Sequence, residues 1–351
     1  GIVSAEMTWE TVRSWNIGFD FGLLNNRLTG SFDYFVRNTL DMIGPAPQLP
    51  ATLGATVPKV NNADMKAWGF EVEVSWRDRI KDFNYGVKFV LSDDQRKVTR
   101  YPNEELNRNQ WYAGRMDGLV WGYETVGIAK TDAEMEAHLA SLPNGGQSQL
   151  GSKWAAGDIM YKDLNGDGKI SSGDGTLNDL GDLKVVANTQ LRFKYGLTLD
   201  ASWKGFDFSA FFQGVGKRDV VVGGPYFWGA NGQGMWQAAA FKDHMDYFRP
   251  EDTESVFGPN VDAYYPRVIF GGGSSEGGKN TLTQSRYVQN GAYIRLKNLQ
   301  LGYTLPSTIT KKFAVNSLRV YVSGDNLWTG TKMRVFDPEV LGSTGDAGKA
   351  Y

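Results

Sequence analysis

Hydrophobic and polar residues alternate one by one along much of this chain. Trp15, Ile17, Phe19 and Phe21 fall on one side of an extended ribbon, and Asn16, Gly18, Asp20 and Gly22 on the other. Leu28, Phe32, Tyr34 and Val36 alternate with Thr29, Ser31, Asp33 and Arg37. Trp68, Phe70, Val72, Val74 and Trp76 alternate with Gly69, Glu71, Glu73 and Ser75. Phe83, Tyr85, Val87, Phe89 and Leu91 alternate with Asn84, Gly86, Lys88 and Ser92. Side chains change face at every residue of a strand, so each stretch has an oily side and a wet side.

The stretches come in pairs: 11–24 with 27–43, 65–77 with 83–97, 189–203 with 206–216, and 287–305 with 317–328. Connections within pairs are short, at Asn25-Asn26, near Asp82, at Lys204-Gly205 and across 306–316. Those after each pair are long, at about 44–64, 98–188, 218–286 and 330–351. Strict short-long alternation predicts an all-β fold, a segment of an antiparallel transmembrane β-barrel with tight turns on one side and long extracellular loops on the other. A soluble antiparallel sheet with one core face alternates in the same way. Strand length separates the two, because most stretches exceed the roughly 9–11 residues that cross a bilayer. Between Tyr293 and Tyr303 the apolar phase shifts from Ile294 and Leu296 to Leu299, Leu301 and Tyr303. One extra residue near Lys297-Asn298, a β-bulge, would keep a single oily face.

Composition narrows the function classes. With 37 Lys+Arg against 39 Asp+Glu, the chain has no field to attract nucleic acid. No apolar run approaches the roughly 18 residues of a helical span, so membrane residence must be through strands. The 11 Trp, 16 Tyr and 19 Phe suit aromatic girdles at the membrane interfaces. Cysteine is absent, which removes disulfides and thiolate metal sites. Some eight strands do not close a wide barrel, so the chain reads as one part of a larger polypeptide.

The long loops hold the local motifs. Thr131-Asp-Ala-Glu134 predicts a capped helix through about Ser141, and residues 235–248 predict a second. His138 and His244 lie on these helices and read as surface residues. Residues 271–278 read as a flexible Gly/Ser-rich tip. Asp163-Leu-Asn165-Gly-Asp167-Gly168-Lys169-Ile-Ser171-Ser-Gly-Asp174 follows a calcium-loop pattern. Asp163, Asn165 and Asp167 offer side-chain oxygens, Gly168 the sharp turn, Lys169 a backbone carbonyl, and Ser171 and Asp174 the closing donors. The alternative is an Asx-rich turn of the same spelling. A possible structural Ca2+ in an extracellular loop is the one cofactor expected. No catalytic motif appears.

Several stretches taken together resemble the SusC/RagA-type family of TonB-dependent outer-membrane transporters. They include Trp15-Asn-Ile-Gly-Phe-Asp20, Trp68-Gly-Phe-Glu-Val-Glu-Val-Ser-Trp76 and Gly157-Asp-Ile-Met-Tyr-Lys-Asp-Leu-Asn-Gly-Asp-Gly168. Ala292-Tyr-Ile-Arg-Leu-Lys-Asn-Leu-Gln-Leu-Gly-Tyr303, Ser323-Gly-Asp-Asn-Leu-Trp328 and Phe336-Asp-Pro-Glu339 follow in family order. The resemblance implies that residues 1–351 are the C-terminal portion of a 22-stranded, plugged barrel in the bacterial outer membrane. It implies uptake of oligosaccharides or peptides beneath a SusD-like surface lipoprotein. The TonB complex would drive uptake through an N-terminal part outside these residues. Trp111, Tyr112, Trp121, Tyr226, Trp228 and Trp236 are the aromatic candidates for stacking on a ligand. The competing expectation is a soluble calcium-dependent carbohydrate-binding β module.

Overall fold

A computed structural model describes residues 7–44, 59–231, 240–269, 275–334 and 336–340. In chain order the strands are β1 (Thr11–Leu23), β2 (Leu28–Ile43), β3 (Asn61–Ile80), β4 (Phe83–Arg100), β5 (Leu119–Tyr123) and β6 (Thr125–Ile128). They continue as β7 (Ile159–Tyr161), β8 (Leu183–Asn188), β9 (Arg192–Trp203), β10 (Phe206–Lys217), β11 (Asp219–Val221), β12 (Val288–Asn290), β13 (Tyr293–Thr304) and β14 (Arg319–Thr331). One antiparallel sheet of eight strands takes the order β1-β2-β3-β4-β9-β10-β13-β14. The remaining strands pair two by two within the inserts.

Turn residues explain the tight ends. Asn25 and Asn26 sit at φ 57° and 62°, a left-handed conformation that Asn tolerates better than most residues. Lys204 and Gly205 at φ 45° and 89° form the two-residue reversal that matches the twist of a hairpin.

Register carries the oily face across the whole sheet. One row runs Phe21, Gly30, Val74, Phe89, Leu197, Phe212, Leu296, Trp328, each residue opposite the next. The row beside it on the other face runs Asp20, Ser31, Glu73, Val90, Gly196, Gln213, Arg295, Thr329. A slip of one residue in any strand would break both rows. The bulge falls at Lys297, since Phe211 opposes Asn298 while Phe212 opposes Leu296. Among the described residues the oily face stands open to the outside at its two ends, where Trp15, Ile17, Phe19, Val320 and Val322 are all half or more exposed. A soluble module would seal such a face inside, whereas an open apolar face of this kind suits bilayer hydrocarbon.

The largest core lies in the inserts instead. Tyr123, Ile159, Tyr161 and Ile170 from residues 101–191 pack with Val220, Phe227, Trp228, Tyr265 and Tyr287 from residues 218–292. The first predicted helix forms as α1 (Asp132–Ala140), with the Thr131 hydroxyl accepting the Glu134 N–H at 3.1 Å. The second does not extend as expected. Residues 235–239 lie outside the described residues, and only Lys242–Met245 make a single 3-10 turn. Phe248 N–H donates to Tyr265 O at 3.0 Å, so packing against the aromatic core draws this segment into extended pairing.

Candidate functional site

Even-numbered residues of β4 and β9 and odd-numbered residues of β10 make the wet face, joined on β13 by Tyr293 and Arg295 before the bulge and by Asn298, Gln300 and Gly302 after it. Against it lies a cavity of about 780 Å3, lined by Ser92, Asp94, Arg96, Lys194, Phe211 and Gln213 of the wall. Arg218, Tyr293, Pro338 and Glu339 close it on the loop side. Asp94 accepts from Lys194 at 2.7 Å and from Arg96 at 3.4 Å. A neighbouring hollow of about 290 Å3 is bordered by Asp33, Glu71 and Glu73. Glu73 pairs with Lys88 at 2.7 Å. The wall therefore presents both signs of charge to whatever fills the passage.

Above the wall the two inserts are clasped by a buried ionic cluster. The Asp158 carboxylate and the Lys279 ammonium, both fully buried, stand 3.0 Å apart. Arg267 reaches Asp158 with two bonds at 2.7 and 2.8 Å, and Asn280 Nδ2 donates to it at 2.8 Å. Lys279 Nζ also donates to Ser152 O at 2.7 Å and faces the Trp154 ring at 4.6 Å. A buried charge is tolerated only with such full pairing. Glu276, at 3.4 Å, is the local partner of Lys279; Asp158 and Ser152 lie more than 100 residues away in sequence, so the local pattern around Lys279 did not announce its burial.

The predicted aromatic candidates are dispersed. Trp111 packs on Tyr101 with ring centroids 6.1 Å apart, and Arg115 covers Tyr112 at 6.0 Å. Trp121 pairs with Val185 in the β5–β8 ribbon, and its indole N–H is buried without a partner. Tyr226 stacks on Phe241 at 5.8 Å and is exposed, while Trp228 is buried against Tyr287 at 4.6 Å. Trp236 lies outside the described residues. None of the described five lines the large cavity.

The candidate calcium loop forms a run of Asx turns. Asp163 accepts Gly166 N–H at 2.6 Å and Gly168 N–H at 2.9 Å. Asn165 Oδ1 accepts Asp167 N–H at 3.0 Å, and Asp167 Oδ1 accepts Lys169 N–H at 3.1 Å. Gly168 sits at φ 79°, where a side chain would be strained. Asp174 turns to Thr176, accepting its N–H at 2.8 Å, and these hydrogen bonds hold its carboxyl below the ordinary range. Ser171 N–H donates to buried Asp182, whose pKa burial pushes up. Among the described residues no group of three or more acidic, imidazole or thiol side chains is gathered as a metal cage. Asp163, Asn165 and Asp167 do keep spare lone pairs on one tight turn, which fits a hard cation held partly by backbone and water.

A family model described as TonB dependent receptor-like, beta-barrel, matches residues 3–202. TonB-dependent receptor P3 of Formosa agariphila is 29% identical over 347 residues, which is 95% of this chain and 31% of that protein. TonB-dependent receptor SusC of Bacteroides thetaiotaomicron is 23% identical over 337 residues, 95% of this chain and 30% of that protein. The solved RagAB peptide transporter matches with a TM-score of 0.68 at 24% identity, covering 95% of this chain and 33% of that chain. That last likeness is one of fold. The chain spans about a third of the length of the relatives it matches.

Proposed function

The chain belongs to the TonB dependent receptor-like, beta-barrel family, and from that premise we propose that it walls the passage of an energised outer-membrane importer. Members of this family reside in the outer membrane, and the uncovered apolar face is the surface that meets its hydrocarbon. One observation carries the reading: the oily row and the wet row stay in register through all eight strands, with a charged cavity on the wet side. Residues 1–351 form the C-terminal portion of that barrel in this proposal. The mechanism is binding and gating, with no covalent chemistry.

Oligosaccharides or peptides are the proposed cargo. The cavity's mixed charges, Asp94, Arg96, Lys194, Arg218 and Glu339, favour a peptide over a neutral glycan. A SusD-like surface lipoprotein is the proposed lid and the TonB complex the proposed energy source. Contact with a lid is supported by Val256 and Phe257, which stand 93% and 60% exposed on a tip of the second insert. Ca2+ on Asp163, Asn165 and Asp167, with Lys169 O, would stiffen the first insert.

The test is uptake by cells carrying the full-length protein that contains this chain. Labelled oligopeptides and neutral oligosaccharides are offered with and without a protonophore. Energy-dependent entry of peptides is expected. Entry of neither class, or entry indifferent to the protonophore, refutes the proposal.

A further inference from the structure

Residues 336–340 follow β14 and fold back toward the lumen wall. Phe336 anchors them in the insert core. Asp337 then receives two bonds from Arg295 Nη2, both at 2.6 Å. Glu339 is bound by Arg295 Nη1 and by Lys297 Nζ at 2.8 Å. Arg218 Nη1 donates to Pro338 O at 3.2 Å. Arg295 is oriented before any of this, because its Nε donates to Thr329 Oγ1 at 2.8 Å on the neighbouring strand. Lys297 reaches the same place because it is the bulged residue of β13. Pro338 and Glu339 line the large cavity, and so does Gln213, directly opposite Arg295.

The burial of this cluster is lopsided. The Arg295 side chain is 9% exposed, whereas that of Asp337 is 44% exposed. A carboxylate that leaves returns readily to water. The guanidinium left behind is buried without a counter-charge, which is strongly unfavourable. The site thus requires a carboxylate, but not a particular one.

We propose that Arg295, Lys297 and Arg218 form a carboxylate-recognition site on the lumen wall, filled in this structure by the chain's own Asp337 and Glu339. A ligand carboxylate arriving in the cavity takes their place and releases the segment. This rests on the reading of the wet face as a transport passage. The oriented fork of Arg295 matches a carboxylate's two oxygens, which a neutral sugar does not offer.

The experiment uses the full-length protein in nanodiscs. The chain has no cysteine, so Val340→Cys places a unique bimane label within it, beside the segment. The probes are triglutamate and trigalacturonate, with amidated triglutamine and maltotriose as neutral counterparts. Saturable emission shifts with either acidic probe, and none with the neutral ones, are expected; the acidic probe that acts identifies the source of the carboxylate. Asp337→Asn with Glu339→Gln removes the internal competitor, and probe affinity should rise about tenfold, as two partly exposed ion pairs permit. Arg295→Gln should abolish the response. The acid-side variant puts amide oxygens where the carboxylates stood, and a gain in probe affinity there is not something a folding defect produces. Unchanged probe affinity in that variant, or equal shifts with neutral probes, overturns the site. Uptake measured in parallel separates the two readings. Intact uptake with unchanged affinity refutes only the carboxylate site. A tenfold gain without energised uptake supports the site and refutes transport.

Discussion

Replacing Val72 by Arg tests the facing of the wall at its most sensitive point. Val72 lies midway along β3 between Trp68 and Trp76, with Phe32 and Leu91 opposite it on the flanking strands. Eight strand residues at about 3.3 Å each span about 26 Å along the strand. Tilted by about 40°, that becomes about 20 Å of height, within the apolar band of about 25 Å expected of such barrels. Val72 then sits about 10 Å from either aromatic level, near the bilayer midplane, where an arginine costs about 2–4 kcal/mol. Its neighbour Glu73 points the other way and pairs with Lys88 at 2.7 Å, with both side chains more than 40% exposed. Glu73→Gln should therefore cost under about 1 kcal/mol. The assay is urea unfolding of the full-length protein in phospholipid vesicles, reading ΔΔG for each variant. If the facing were reversed, Val72→Arg would be nearly neutral and Glu73→Gln would stabilise by removing a charge from lipid. Either result refutes the assignment.

Other consequences are independent of that face. Asp158→Ala strands a buried ammonium and should destabilise the clasp between the inserts by about 3–5 kcal/mol, seen as faster hydrogen exchange in residues 147–162 and 276–291. Asp163→Ala with Asp167→Ala should remove one bound Ca2+, measured as metal stoichiometry after gel filtration; an unchanged count removes calcium from the account. Glu124 is held below its ordinary pKa by its bonds to Lys184 and Lys162. A depressed carboxyl contributes stability above its unfolded pKa, so exchange protection in β5 to β8 should fall as pH drops below about 4.3 toward the lower folded value.

The wall was legible in the sequence because each strand needs only its own alternation and a turn. The phase shift between Leu296 and Leu299 even located the bulge, since only an extra residue keeps those two leucines on one face of β13. The inserts were not legible in this way. Their strands run three to six residues, too short for a period to declare itself. Their core is assembled from segments far apart in the chain, so Trp228 reads in sequence as a stacking surface and in structure as packing. Lys279, next to a Gly/Ser-rich stretch that suggests a mobile tip, is instead fully buried against Asp158. The carboxylates of Asp337 and Glu339 stood in a recognisable motif, but their meeting with Arg295 depends on a chain reversal after β14.

Spin-label accessibility along β3 tests the central claim most directly. Single labels at 68 through 76 in the full-length protein in lipid would be relaxed by oxygen, which concentrates in hydrocarbon, and by a water-soluble nickel chelate. Labels at 68, 70, 72, 74 and 76 should favour oxygen, and labels at 69, 71, 73 and 75 should favour nickel. Oxygen preference at the odd positions, or no two-residue period, would contradict a wall with lipid on one side and a wet passage on the other.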